Sequence, residues 1–164
     1  MQKPIYQQLL KLVDRPRENG FEPLEILSRL LDEEPIKCEL PGQWYECTFP
    51  RAGVSIVQWD QTGAIYSLTL HILDAKVKHR GVTPYSGDLP YDIHIEDSEE
   101  EVERKCPGAT MRFKDYRTDV DLRPLEVRFH FGAQDSDQSS IGPRKLLFVS
   151  MLCDTGLSEE GATT

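Results

Sequence analysis

Three ionisable side chains near the middle of the chain have a spacing that could hold a metal ion or carry out acid–base chemistry. Asp92, His94 and Glu96 alternate with two isoleucines and follow a tyrosine. Because successive side chains of a β-strand point to opposite faces, a strand here would place all three on one face. Imidazole and carboxylate groups ligate metals and carry protons. One interpretation is therefore a metal-dependent hydrolase, and the other is a solvated strand face, since no second histidine lies nearby.

Nucleophilic catalysis has no recognisable motif in the sequence. It would need a serine or cysteine beside a histidine and an orienting carboxylate, and no G-x-S-x-G elbow occurs. His71, His79 and His130 are scattered, and the first and last of them fall on the more polar faces of predicted strands. Glycine-rich phosphate-binding loops are missing as well. We therefore predict a protein without catalytic residues, metal or cofactor.

A first acidic cluster, Asp32, Glu33 and Glu34, lies at the end of a predicted helix. Carboxylates at a helix C-terminus oppose the helix dipole, each at a cost of about 0.3–1 kcal/mol. The stability of the helix does not explain their position. One interpretation is that they face a basic partner, and the other is a solvated loop whose charges are screened by salt.

A second acidic cluster surrounds the predicted start of a helix at Ser98. Here the dipole favours negative charge, and Ser98 with Glu101 has the spacing of a capping box. The other members are Glu96, Asp97, Glu99 and Glu100. Helix energetics explain this cluster, although its exposed carboxylates are also candidates for partner binding.

Aromatic residues near turns are the remaining candidates for a binding surface. Trp59 directly precedes a predicted hairpin turn over residues 60–63, which Asp60 begins, and Trp44 opens the first predicted strand. Tryptophan is enriched among the residues that dominate protein–protein binding energy. Trp59 and Asp60 are therefore predicted partner-binding residues, whereas core packing is the favoured interpretation of Trp44.

The periodicity of apolar residues indicates the elements that must position these groups. Helices are predicted over residues 4–13, from Pro23 to about residue 34, and over 98–106; strands are predicted over 44–49, 53–59, 64–72, 111–114, 125–131 and 145–152, with a short alternating piece at 91–95. In the strand over 64–72, Tyr66 is expected to share a face with Leu68 and Leu70, opposite Ile65. The acidic residues Asp115, Asp119 and Asp121, interspersed with arginines, are predicted to form mixed surface charge between strands.

The order of these elements repeats along the chain. Residues 22–72 and residues 97–152 each read as one helix followed by three strands, with a polar loop between them. The sequence therefore predicts a single α+β domain over residues 1–154. It would contain a predominantly antiparallel sheet, helices on one face and duplicated αβββ units. Residues 155–164 are predicted to form a flexible C-terminal tail.

Composition limits the classes of partner. The chain of 164 residues carries 28 Asp and Glu against 19 Lys and Arg, a formal net charge of −9. This charge repels phosphate, so we expect no nucleic-acid partner. No apolar run approaches the length of a membrane-spanning helix, so we expect no membrane partner either.

The cysteines and the N-terminal residues predict a compartment. Cys38, Cys47, Cys106 and Cys153 contain no C-x-x-C pair, and each is expected to be a buried, reduced thiol. The first ten residues lack the apolar segment of a secretory signal. We therefore expect a cytoplasmic protein.

Residues 44–113 resemble a broad group of small bacterial proteins. The resemblance is carried by an aromatic-rich hairpin, by Tyr-Ser-Gly-Asp-Leu-Pro at residues 85–90, and by Asp-Ser-Glu-Glu-Glu-Val at 97–102. This pattern is similar to that of immunity proteins that accompany polymorphic toxins, bacteriocins and type VI secretion effectors. The turn Lys-Cys-Pro-Gly at 105–108 departs from the Leu-Gly-x-Pro-like turn of the pattern.

The resemblance implies a non-catalytic protein-binding function. Such a protein would neutralise a secreted antibacterial toxin by blocking its active site or an adjacent surface. A toxin acting in the cytoplasm would be a nuclease with a basic substrate channel, to which an acidic protein would bind quickly. Two alternatives stay open: the metal-dependent hydrolase that uses Asp92, His94 and Glu96, and an acidic adaptor that binds a basic protein unrelated to toxins.

Overall fold

The fold consists of three α-helices and eight β-strands along the described chain. A computed structural model describes residues 5–13, 22–59, 62–72, 81–114, 117–122, 127–132 and 145–152. The helices are α1 (Ile5–Leu10), α2 (Pro23–Leu31) and α3 (Glu99–Lys105). The strands are β1 (Ile36–Leu40), β2 (Trp44–Phe49), β3 (Val54–Trp59), β4 (Ile65–His71), β5 (Thr110–Lys114), β6 (Arg117–Leu122), β7 (Val127–Gly132) and β8 (Lys145–Leu152). The predicted C-terminal tail, Asp60 and Cys153 lie outside the described residues.

All eight strands form one antiparallel sheet, which confirms the predicted α+β class. The strand order is β1-β2-β3-β4-β8-β7-β6-β5. Each half is a four-stranded meander, and the final strands of the two meanders, β4 and β8, pair at the centre. One helix comes directly before each meander, α2 before β1 and α3 before β5, so both halves read αββββ from that helix onward, and α1 lies before the first half. The predicted duplication is present, with one more strand in each half than the sequence indicated.

The two strands that the sequence analysis missed are β1 and β6. Both carry charged residues at alternate positions, which weakens the apolar signal of a strand. Segment β6 was predicted to be surface charge between strands, and this is wrong for Asp121, which is 2% exposed. Pairing with β7 places Asp121 opposite Arg128. Asp119 also lies in β6, whereas Asp115 is outside the described residues.

One face of the sheet is apolar and forms the core. Its central row consists of Ile56, Leu68, Met151 and Val127, which are directly paired across four neighbouring strands. All four are at most 2% exposed. At 25 cal/mol per Å², burying each such side chain contributes about 1.5–3 kcal/mol. We call this surface the apolar face and the opposite surface the polar face.

A β-bulge corrects the predicted orientation of β4. The register shifts between Val57 and Gln58, so that Val57 pairs with Ser67 and Gln58 pairs with Ile65. Tyr66 is the extra residue, and a bulge re-aims the side chains around it. Ile65 consequently joins the core at 0% exposure, whereas Tyr66 is only partly buried. The sequence had placed Tyr66 with the core residues instead.

The described helices pack on the apolar face. Leu9 from α1, Leu27 from α2 and Val102 from α3 are each 0% exposed and belong to the same core cluster as the strands. Helix α2 begins at Pro23 as predicted, where the missing N–H of proline costs no helical hydrogen bond. After α1, Val13 makes a parallel bridge to Ile65, which ties the N-terminal segment to the sheet.

A glycine in the turn between β2 and β3 allows the segment after β4 to pack closely. Gly53 has φ +70°, in the left-handed region that favours glycine. A Cβ atom here would overlap the backbone of Thr83 and Tyr85. The Thr83 N–H donates to the Pro50 carbonyl at 2.7 Å, and the Tyr85 N–H donates to the His71 carbonyl at 2.7 Å. Because Gly53 has no side chain, residues 83–85 can pack closely against the sheet.

The described cysteines only partly match the expectation of burial. Cys47 and Cys106 are buried, whereas Cys38 is exposed on β1, and all three are free thiols. Burial raises the pKa of the Cys47 and Cys106 thiols, with nearby lysines opposing the shift. Among the described residues, no helix is long and apolar enough to cross a membrane.

Candidate functional site

Polar side chains from both halves meet at the centre of the polar face. Direct cross-strand pairing forms one row, Ser55, Thr69, Ser150, Arg128 and Asp121, across β3, β4, β8, β7 and β6. The next row contains His71, Phe148 and His130. Both histidines are predicted to lie on the more polar strand faces as ordinary surface residues. In the structure both histidines are buried. This burial could not be predicted, because the strand order that brings them together cannot be read from local periodicity.

Ser55 and His71 form a close side-chain pair within these rows. The Ser55 Oγ and His71 Nε2 atoms are 2.7 Å apart. Serine beside histidine is the beginning of a nucleophilic arrangement. However, Ser55 is 7% exposed and His71 is 3% exposed, so a substrate has little access to either atom. We therefore interpret the pair as a buried hydrogen bond that satisfies two polar groups in the sheet.

The second half contributes an ion pair and a stacked ring. The Arg128 Nε and Asp121 Oδ1 atoms are 3.6 Å apart, and the Asp121 side chain is 3% exposed. The His130 ring stacks on Phe148 with centroids 4.1 Å apart and planes inclined by 17°. Opposite charges compensate each other in the first pair. This part of the polar face therefore contains a compensated charge pair beside two stacked rings rather than an unbalanced charge.

An aromatic cluster lies at one end of the β2–β3 hairpin on the polar face. Trp44 pairs directly with Trp59, and their ring centroids are 4.5 Å apart at an interplanar angle of 79°. Tyr66 approaches Trp44 at 5.3 Å, because the bulge turns its ring to this side. All three side chains are partly exposed. Edge-to-face packing holds the rings in place while leaving apolar area accessible.

The first predicted acidic cluster divides into one structural and two exposed carboxylates. Glu33 accepts hydrogen bonds from the backbone N–H groups of Arg51 and Ala52, at 2.7 and 3.0 Å. Its side chain is only 6% exposed. The Arg51 guanidinium also donates to the Asp32 carbonyl at 2.8 Å. Asp32 and Glu34 are exposed. Local structure therefore explains Glu33, and the other two carboxylates face solvent.

The second predicted cluster also contains a carboxylate that the fold uses. Asp97 Oδ2 accepts a hydrogen bond from the His94 N–H at 2.9 Å and forms an ion pair with Lys105 Nζ at 2.6 Å. Burial alone would raise the pKa of Asp97, but these two partners outweigh it and hold the pKa below its usual value. Glu96 and Glu100 are exposed, and Glu99 is partly buried.

The capping box beside this cluster is confirmed. Ser98 Oγ accepts from the Glu101 N–H at 3.2 Å, and Glu101 Oε2 accepts from the Ser98 N–H at 2.9 Å. Two backbone donors at the start of α3 are satisfied reciprocally.

The predicted binding residues do not form one continuous patch. Asp32 and Glu34 lie beside the turn at one end of the β2–β3 hairpin, whereas Trp59 lies at the other end, about 17 Å away along the strands. The second acidic cluster belongs to the other half of the chain, where α3 follows it and leads directly into β5. That strand and β1 are opposite edges of the sheet, about 34 Å apart for eight strands.

Asp92, His94 and Glu96 do not share a strand face, so the predicted geometry of a metal site is wrong. Residues Pro90–Asp92 form a 3₁₀ turn in which Tyr91 and Asp92 both have positive φ. His94 then takes part in a second turn, closed by the Asp97 N–H bonding its carbonyl at 3.0 Å. Within the described ranges, no group of three His, Cys, Asp or Glu side chains is placed to hold a metal ion.

Comparison with known proteins adds no relative. No protein-family model matches the chain, and no match is found among curated proteins or solved structures.

Proposed function

We propose that this chain is a non-catalytic protein-binding module, and specifically a cytoplasmic immunity protein that neutralises a secreted antibacterial toxin. The partner is a toxin with a basic active-site surface, most simply a nuclease. The binding region centres on the aromatic cluster formed by Trp44, Trp59 and Tyr66. The exposed carboxylates contribute to the electrostatic field that attracts the partner.

The aromatic cluster is the observation that carries this proposal. Two tryptophans and a tyrosine with accessible rings are grouped on a sheet face that the described helices do not cover. Tryptophan and tyrosine supply large contact area at little cost in conformational entropy, and they recur at the centres of protein interfaces. Their rings already pack against one another, so binding would require little ordering of these side chains.

Charge supports a basic partner. The net charge of −9 and the solvent-facing Asp32, Glu34, Glu96 and Glu100 surround the molecule with negative potential. Such a field accelerates encounter with a basic surface and is screened by salt. Because the acidic clusters lie in different halves of the molecule, they act through this long-range field rather than as one contact patch.

The experiment pairs the protein with the product of the gene adjoining its own. Co-expression is expected to protect cells from that product, and the purified proteins are expected to form a 1:1 complex. Trp59→Ala should raise the dissociation rate and weaken binding by about 2 kcal/mol or more. Ile95→Ala, which alters another exposed apolar side chain, should leave affinity unchanged. Equal effects of the two variants on affinity would contradict the proposal that the aromatic cluster lies in the interface.

The electrostatic part of the proposal has its own variant. Combining Asp32→Asn with Glu34→Gln removes two exposed charges, and asparagine tolerates the left-handed backbone of Asp32. The association rate should fall several-fold at low salt and converge with the wild-type rate at high salt. A salt-independent association rate in the wild-type protein would contradict electrostatic capture.

A further inference from the structure

Strand β1 leaves one edge of the sheet available for pairing. It is the terminal strand of the sheet order, with β2 on its inner side. Ile36, Lys37, Cys38 and Glu39 are all exposed, and Ile36 retains 64% of its accessible surface. A row of backbone N–H and C=O groups at such an edge is a template for another strand.

The sequence of β1 is complementary to itself in the antiparallel direction. Its residues are Ile36, Lys37, Cys38, Glu39 and Leu40. If two copies pair about a two-fold axis through Cys38, Lys37 of each copy lies opposite Glu39 of the other. Ile36 then lies opposite Leu40, again twice. Directly opposed residues of antiparallel strands are close enough for their side chains to interact.

The two faces of the sheet are also preserved in this arrangement. The register with β2 places Ile36, Cys38 and Leu40 on the polar face beside Trp44, and Lys37 and Glu39 on the other face. A two-fold axis perpendicular to the sheet keeps each group on its own face. The apolar side chains of two copies would therefore meet on one face and the opposite charges on the other.

We propose that β1 is a self-association edge, through which two copies of this chain pair antiparallel about Cys38 into one continuous sheet of sixteen strands. This function of β1 is independent of the proposed toxin binding. The Lys37 ammonium lies 3.9 Å from the centre of the Tyr45 ring, so its side chain already lies along the face where the partner's Glu39 would meet it.

The signs of the charges on β1 favour pairing with a second copy over the alternative role of charged edge residues, which is to prevent pairing. Edge strands are often protected by charged residues that discourage pairing. Two like charges flanking Cys38 would repel their counterparts in the self-paired register. Lys37 and Glu39 have opposite signs, so the same register brings attraction at both positions. Five paired residues make a small interface, so we expect a dissociation constant in the micromolar to millimolar range.

Sedimentation equilibrium of charge variants tests the register. At ionic strength near 0.15 M, the general repulsion between two acidic molecules is largely screened beyond about 8 Å. The wild-type protein should dimerise reversibly. Lys37→Glu and Glu39→Lys should each weaken the dimer about tenfold, since each places like charges opposite each other twice. The double variant, which exchanges the two charges, should restore association.

A full set of unfolding curves serves as the control, because all three variants change exposed side chains and should keep the wild-type midpoint. A wild-type protein that remains monomeric at millimolar concentration would overturn the proposal. Failure of the charge exchange to restore association would overturn the register about Cys38. Neither outcome bears on toxin binding, which is measured with the separate Trp59→Ala variant.

Oxidation provides a second readout. Opposed residues in an antiparallel pair have Cα atoms about 4.5–5.5 Å apart, within the range that a disulfide spans. With diamide, each Cys38 thiol gives up one hydrogen, the N=N bond becomes a hydrazine, and one S–S bond joins the copies. Covalent dimer should form in wild-type protein and in Cys153→Ser, but not in Cys38→Ser. Cross-linking that persists in Cys38→Ser would count against the proposed axis.

Discussion

Individual carboxylates in this protein have different roles that their charge alone does not distinguish. Glu33 and Glu34 are neighbours in the sequence, yet the first bonds two backbone N–H groups and the second faces solvent. Asp97 and Glu96 differ in the same way. The members of each pair fall into one predicted acidic cluster, because acidic residues look alike before the fold is known. Their roles depend on which backbone segments come near, and that is a tertiary property.

Asp97 makes a pH-dependent contribution to stability. Its pKa is lower in the folded state than in the unfolded state. The contribution is therefore present above the unfolded pKa and is lost as pH falls through the folded pKa. Asp97→Asn should destabilise the protein by about 1–2 kcal/mol at pH 7. In urea unfolding at acidic pH, below the unfolded pKa, the gap between variant and wild type should narrow as the pH falls.

Glu96→Gln is the matched control, since Glu96 is an exposed carboxylate next to Asp97. Its unfolding midpoint should equal that of the wild type at both pH values. A stability gap for Asp97→Asn that stays constant from neutral to acidic pH would contradict the proposed ion pair.

Gly53 is a described glycine at which a side chain should be costly. Gly53→Ala combines a positive φ with overlap against the backbone of Thr83 and Tyr85. We expect a loss of about 2–4 kcal/mol in urea unfolding. Gly108→Ala, at φ +90° with nothing near its Cβ position, should cost only about 1–2 kcal/mol. Equal losses would show that strain alone, without the overlap, accounts for the effect.

At the scale of elements, a single carboxylate joins the end of α2 to the turn between β2 and β3. Glu33→Ala would leave the Arg51 and Ala52 N–H groups without their acceptor. We expect a loss of about 2 kcal/mol or more in thermal or urea unfolding. Glu34→Ala, which removes an exposed carboxylate, should change stability by less than about 0.5 kcal/mol. A similar loss in both variants would contradict this structural role.

Elements with strong local signals were predicted well from the sequence. Strand β2 begins and ends where expected, and α3 has the predicted capping box. Segments with mixed signals were predicted poorly. The alternation around Ile93 resembles a strand, but Tyr91 and Asp92 turn the backbone into positive φ. Strand β6 has charged residues at alternate positions, and one of them, Asp121, is buried opposite Arg128 of β7. The sequence of one segment does not show which residue of a neighbouring strand will compensate its charge.

The candidate site shows the same division. The sequence identified Trp59 through its position beside a turn, but it favoured core packing for Trp44. The β2–β3 register joins the two rings, and a bulge adds Tyr66. Neither register nor bulge has a local signature in this hairpin, so the cluster could be predicted only in part.

At the scale of the whole molecule, the two meanders share one sheet and one core cluster. We therefore expect them to unfold together. The chain contains only two tryptophans, Trp44 and Trp59, and both lie in the first half. Tryptophan fluorescence consequently reports the first half, whereas far-ultraviolet circular dichroism reports both. The two urea transitions should coincide, and two separated transitions would indicate that the halves are independent domains.

The position of β8 at the centre of the sheet affects the order in which this protein can be assembled during synthesis. Among the described strands, the one that joins the halves is the last to leave the ribosome, so β4 and β7 each wait with an unpaired inner edge. Both strands are rich in buried apolar residues, and exposed apolar edges promote aggregation. Nascent chains that stall before residue 145 would therefore be the form of this protein most dependent on chaperones.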